Sequence, residues 1–172
     1  MKDIDQLIID AHIRFLDELT QAESLSEFNA IIHRVGYEDL LVESDYWLDT
    51  LPYGKVLVMG DLSMKINDLY GCFKSYGIDK KRVVHISFEE VKNYNISRLE
   101  YSDVYRLILV GPVPHSAKGM GDESSVITSL ENNPNITKVK RVMSGDELKI
   151  CNESLKKVLD EETQSGYLLK DK

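Results

Sequence analysis

Apolar positions follow two different rhythms along this chain. Up to about residue 50 they recur every three or four residues. Ile4, Leu7, Ile8, Ala11, Phe15 and Leu19 make one series, and Leu25, Phe28, Ile31, Ile32 and Val35 a second, so two amphipathic helices are predicted. Ser24 and Glu27 form a capping-box pattern ahead of the second helix. A further helical piece carries Leu40, Leu41, Tyr46, Trp47 and Leu51 before Pro52 and Gly54 break the chain.

From Lys55 the rhythm changes to short apolar runs alternating with helical segments. Val56-Leu57-Val58-Met59 is continuous, as a strand buried on both faces must be. Gly60-Asp61 closes it, a helix is predicted from about Ser63 to Tyr76, and Gly77 stops that helix. Arg82 to Phe88 reads as a second strand, and Glu89 to Tyr101 as a helix weakened by Asn93, Asn95 and Ser97. Tyr105 to Val110 reads as a third strand. A helix from about Glu123 to Asn132 ends at Pro134. Ile136 to Met143 supplies a fourth strand, Glu147 to Cys151 a short fifth, and Leu155, Val158 and Leu159 mark a last helix.

Strands separated by helices of this length imply βαβ crossovers and a parallel sheet. The expected fold is therefore α/β: a small doubly wound, mostly parallel sheet of four to five strands, Rossmann-like or flavodoxin-like, with an N-terminal helical extension. Residues 1–54 form a helical segment packed on the core or on a partner, 55–164 the α/β domain, and 165–172 a loose tail.

Composition narrows the class of partner. The chain has 172 residues, 42% of them hydrophobic and 29% charged, which suits a self-sufficient core. Its net charge of -8 disfavours nucleic acid and anionic membranes. The basic runs Lys80-Lys81-Arg82 and Lys138 to Arg141 each abut a strand, where charge protects an edge. No apolar run approaches the ~20 residues of a membrane span. Cys72 and Cys151 lack the spacing of a zinc site or a disulfide framework, and a reduced, cytoplasmic setting is expected.

Candidate chemistry gathers where parallel strands turn into helices. Gly60-Asp61-Leu62-Ser63 follows the first strand. The loop from Gly111, with Pro112, Pro114, His115, Ser116, Lys118, Gly119 and Gly121, follows the third and leads to Asp122, Glu123, Ser124 and Ser125. If strands one and three are neighbours, a switch point between them brings the two loops together.

Asp61 could serve as a general base or metal ligand, or else cap a helix. His115 could act as acid or base, or brace the loop by hydrogen bonds. Lys118 could neutralise an anion, and Gly119 and Gly121 could bring the backbone close to a ligand. Gly60, Ser63, Gly111, Pro114, Ser116, Ser124 and Ser125 complete the candidate ligand-binding set, the two serines doubling as first-turn helix polarity. Asp122 and Glu123 already satisfy a helix N-terminus and oppose an incoming anion. A divalent cation such as magnesium, held by Asp61 and Asp122, would remove that conflict.

Neither G-x-G-x-x-G after the first strand nor a P-loop occurs. Val58 to Ser63 resembles the opening of the GDS-type esterase block, but Leu62 stands where that family has its nucleophilic serine. The Gly-Asp pair is similar to that of metallophosphatases, without their accompanying His and Asn motifs.

The leading expectation is thus a small-molecule-binding α/β domain, possible as an enzyme on a nucleotide or phosphorylated metabolite, with a small anionic ligand. The alternative is a non-catalytic interaction or regulatory module that forms a homo-oligomer through the N-terminal helices. Exposed apolar side chains among Tyr37, Leu40, Tyr46 and Trp47 would favour the alternative.

Overall fold

A computed structural model describes residues 3–22, 25–40, 53–120 and 125–171. The chain divides into two compact units, Met1–Ser44 and Asp45–Lys172. The first contains helix α1 (Ile4–Gln21), helix α2 (Leu25–Val35) and a 3-10 turn at Glu38–Leu40. The Phe15 and Tyr37 rings meet edge to face at 6.2 Å, and Arg34 pairs with Glu18 at 3.0 Å. Ser24 and the helical piece expected at Leu41, Tyr46, Trp47 and Leu51 lie outside the described residues.

The second unit is built on four parallel strands: β1 (Lys55–Met59), β2 (Val83–Ile86), β3 (Tyr105–Val110) and β4 (Val139–Arg141), in the order β2-β1-β3-β4. β1 and β3 are central, which explains their uninterrupted apolar runs. Along them, alternate side chains enter opposite cores. Val56, Val58, Leu107 and Leu109 join Leu69, Phe73, Leu155 and Leu159 on one face, and Leu57, Met59, Ile108 and Val110 join Val91, Val126 and Leu130 on the other. Each fully buried side chain of this kind contributes about 1.5–3 kcal/mol.

Those partners come from α3 (Ile66–Ser75) and α6 (Asn152–Gln164) on the first face, and from α4 (Phe88–Asn93) and α5 (Val126–Asn132) on the second. The step from β1 to β2 runs one way across the sheet, and the steps to β3 and β4 run the other way. Crossovers of one hand then place α3 opposite α4 and α5. The fold is a small doubly wound α/β sheet with helices on both sides, as its sequence pattern predicts.

Several expected elements are shorter or differently used. The helix expected over residues 89–101 stops at Asn93. The Asn95 side chain accepts from Ser97 N–H at 3.2 Å and Ser97 Oγ at 2.8 Å, so it caps a separate 3-10 turn at Ile96–Leu99. The fifth strand does not join the main sheet: β5 (Met143–Ser144) and β6 (Glu147–Leu148) form a small antiparallel hairpin.

The tail is not loose. Tyr167 and Leu168 are buried, Arg82 donates to the Leu169 carbonyl at 2.8 Å, and Asp171 pairs with Arg82 at 2.6 Å. At the sheet edge, Lys138, just before β4, meets the wholly buried Glu162 at 2.8 Å and Lys140 Nζ meets Glu161 at 2.6 Å, both on α6, whereas Arg141 pairs with Glu131 of α5 at 2.6 Å.

Candidate functional site

The topology brings the two candidate loops together. Because β1 and β3 are neighbours reached from opposite directions, the chain leaves them at a switch point. Asp61 N–H donates to the Pro112 carbonyl at 3.0 Å, and Gly111 N–H to the Met59 carbonyl at 2.9 Å. The loops cross closely. Gly60 has φ +111°, and a Cβ there would stand 2.3 Å from the Pro112 oxygen, so only glycine passes.

His85 is the side chain that β2 adds to this corner. Its Nε2 lies 2.9 Å from the Gly60 carbonyl, and since a carbonyl only accepts, the contact places a proton on Nε2. Its pairing with Val58 across the β1–β2 ladder sets that position, a non-local fact with no local signal.

Asp61 is exposed, and Oδ1 accepts from Phe88 N–H at 3.4 Å. It therefore assists the start of α4, not of its own helix α3, whose N-cap is Lys65 without a side-chain bond. The same turn of α4 holds a full capping box. Ser87 N–H and Oγ both donate to Glu90 at 2.7 Å, bonds that hold the Glu90 carboxyl below its ordinary range. The Ser-x-x-Glu spacing was a readable signal for this helix start. An anion arriving here meets two carboxylates and donors already engaged.

Directly behind both loops sits Ile150. Ser63 N–H donates to its carbonyl at 2.8 Å, Leu62 bridges to it in parallel, and a Cβ on Gly111 would fall 2.4 Å from its Cγ1. Ile150 is wholly buried, so the chain returning from the β5–β6 hairpin fills the space behind the switch point.

The long loop is anchored along its length. Pro114 is buried, and Val113, Ala117 and Met120 pack against the second core. The Lys118 carbonyl accepts from Ile96 N–H at 2.9 Å. Gly119, at φ +78°, packs its Cα side on Asn95, whose Oδ1 would lie 2.1 Å from a Cβ. The close approach there is to protein. His115, Ser116 and Lys118 are exposed.

The His115 carbonyl accepts from Val126 N–H at 3.2 Å, and Ser125 Oγ accepts from Thr128 N–H at 3.1 Å, capping α5. Gly121, Asp122, Glu123 and Ser124 lie outside the described residues. Among the described residues no hydrogen bond or ion pair joins Asp61, His115 and Lys118 to one another. Nor does any group of three or more His, Cys, Asp or Glu gather as a metal site would require.

Cys151 also adjoins the switch point, one residue after Ile150. It is half-buried at the N-cap of α6, 3.3 Å from Ser154 Oγ. Hydrogen bonds from the Ser154 hydroxyl and the N–H groups of the first turn pull its thiol below the ordinary range, whereas burial pushes Cys72 up.

No helix among the described residues is long and apolar enough to cross a membrane. Comparison with protein-family models, with curated proteins and with solved structures finds no match, so only the geometry of this chain bears on what it does.

Proposed function

We propose that this chain is a non-catalytic protein-interaction module whose docking element is the N-terminal helical unit. One observation carries the reading: none of the 18 residues of α1 is buried, although the helix is rich in isoleucine and leucine. In proteins most of a helix's stability comes from packing its apolar face. Tyr37 and Leu40 beyond α2 are also about half exposed. The α/β unit supports the same reading by contrast, since its loops spend their donors and apolar side chains on one another.

The test is hydrogen exchange on the full chain, alone and monomeric. A docking helix without its partner exchanges its amides far faster than β3 does. Protection of α1 equal to that of β3 would refute the reading.

A second reading rests on the corner of Asp61, His85 and the Gly60–Pro112 crossing. There a small polar ligand could meet a carboxylate and an imidazole, with His115 and Lys118 on the adjoining loop and magnesium bridging to Asp61. A thermal-shift screen of nucleotides, sugar phosphates and simple anions, with and without magnesium, separates the two readings. Ligand at 100 times its dissociation constant adds about 2.7 kcal/mol to the native state. A shift abolished in both Asp61→Asn and His115→Ala would establish this second reading.

A further inference from the structure

On α1, apolar residues form two stripes. Ile8, Ala11, Phe15 and Leu19 lie on one, beside whose C-terminal half Phe15 meets the Tyr37 ring just beyond α2 and Glu18 pairs with Arg34 of α2. Ile9, Ile13 and Leu16 lie on the other, spaced i, i+4, i+7, and are 52%, 53% and 47% exposed. That spacing is the anchor pattern by which helices pack in apolar grooves.

The surroundings of the second stripe are acidic. Asp5 stands one turn before Ile9 and Asp17 one turn after Ile13. The whole unit Met1–Ser44 has three basic residues against ten acidic ones, a net charge of -7, so it holds nearly all of the chain's -8.

Charge decides between the possible occupants. A second copy, paired parallel or antiparallel about the stripe, brings one acidic rim against another. Either arrangement joins two units of -7. The chain's own segment 41–52, though apolar, has three carboxylates and neither lysine nor arginine. An anionic bilayer is repelled as well. A helix with an apolar stripe edged by lysine or arginine satisfies both the stripe and its rim.

We infer that the Ile9–Ile13–Leu16 stripe of α1 docks a cationic amphipathic helix of another protein. This rests on the interaction-module reading and adds the chemistry of the partner.

The probe is a labelled 18-residue helical peptide of leucine and lysine, with leucine at i, i+3, i+4 and i+7 positions, beside the same pattern in leucine and glutamate. Fluorescence anisotropy with the full chain is expected to show binding of the lysine peptide only, weakening as salt rises from 50 to 300 mM. The double substitution Ile9→Ser/Ile13→Ser keeps every charge and is expected to weaken binding at least tenfold. Asp5→Lys/Asp17→Lys keeps the stripe and is expected to weaken it comparably, with circular dichroism verifying the fold of both variants.

Binding of the lysine peptide unaffected by Ile9→Ser/Ile13→Ser would reduce the effect to bulk charge attraction and overturn the proposal, as would no binding. A dimer of the chain alone at sedimentation equilibrium, dispersed by the same serine variant, makes the occupant a second copy. That outcome overturns the cationic partner while leaving the interaction reading standing. Flotation with anionic vesicles that depends on Ile9 and Ile13 overturns it likewise. Monomeric protein with α1 amides as protected as those of β3 removes both the partner and the reading beneath it.

Discussion

Replacing Gly60 by alanine tests the crossing that defines the switch point. The new Cβ would lie 2.3 Å from the Pro112 oxygen and 2.9 Å from its carbonyl carbon, both backbone atoms that a rotamer change cannot move. At φ +111° a residue with a side chain is also strained by about 1–3 kcal/mol. Forcing one methyl into a packed site costs a further ~1–3 kcal/mol. The expected loss is about 4 kcal/mol, a large share of the 5–15 kcal/mol typical of a domain.

With a urea m-value of about 2 kcal/mol/M, the midpoint followed by far-UV circular dichroism falls by roughly 2 M. Gly71→Ala is the internal control. It sits exposed in the middle of α3 with no atom within 4 Å of its Cβ position, so alanine there should gain about 0.5–1 kcal/mol. A Gly60→Ala loss below about 1 kcal/mol, or equal losses at both positions, would refute the tight crossing.

Three other perturbations address the tail and the cysteines. Leu168→Ala removes a side chain 1% exposed and should cost about 2–5 kcal/mol in urea denaturation, where a frayed tail would lose nothing. Burial pushes the Asp171 carboxyl up, but the bond from Asp79 N–H and the Arg82 guanidinium outweigh it and hold the group below its ordinary value. Its stabilisation is therefore complete above the unfolded pKa of about 3.9 and is lost as pH falls through the lower folded value. The stability gap between wild type and Asp171→Asn should be constant from pH 7 to 5 and close below pH 4. Iodoacetamide with mass-spectrometric readout should label Cys151 before Cys72, and Ser154→Ala should move the pH midpoint of Cys151 labelling upward.

Elements whose evidence is local were readable in the sequence. β1 and β3 declare themselves because both of their faces are buried, leaving no polar position to interrupt the run. β4 was overextended because Ile136 is buried by a single antiparallel bridge to Glu100 before the ladder begins, and a buried isoleucine looks the same in either setting. The tail reads as loose because what holds it is distant in sequence: Arg82 bonds the Leu169 carbonyl and pairs with Asp171, Arg106 donates to the Tyr167 carbonyl and lies 3.7 Å over its ring, and Tyr167 and Leu168 pack in the first core.

The site divides the same way. The adjacency of the Gly60 and Gly111 loops followed from strand order, but the roles of His85, Ile150 and Gly119 depend on contacts that no spacing encodes. A glycine packed on Asn95 and a glycine packed on a ligand have one and the same sequence.

The seating of Ile150 sets a toll on any molecule that would use the switch point. To open the space between the two loops, its side chain must leave the core, about 1.5–3 kcal/mol, and its carbonyl must release Ser63 N–H, about 1 kcal/mol more. The open form is then populated to roughly 1% or less, and a ligand that needs it binds about a hundredfold more weakly than its contacts alone would give. Ile150→Ala would lower that barrier, so the residue that stabilises the closed crevice also limits what the crevice can hold.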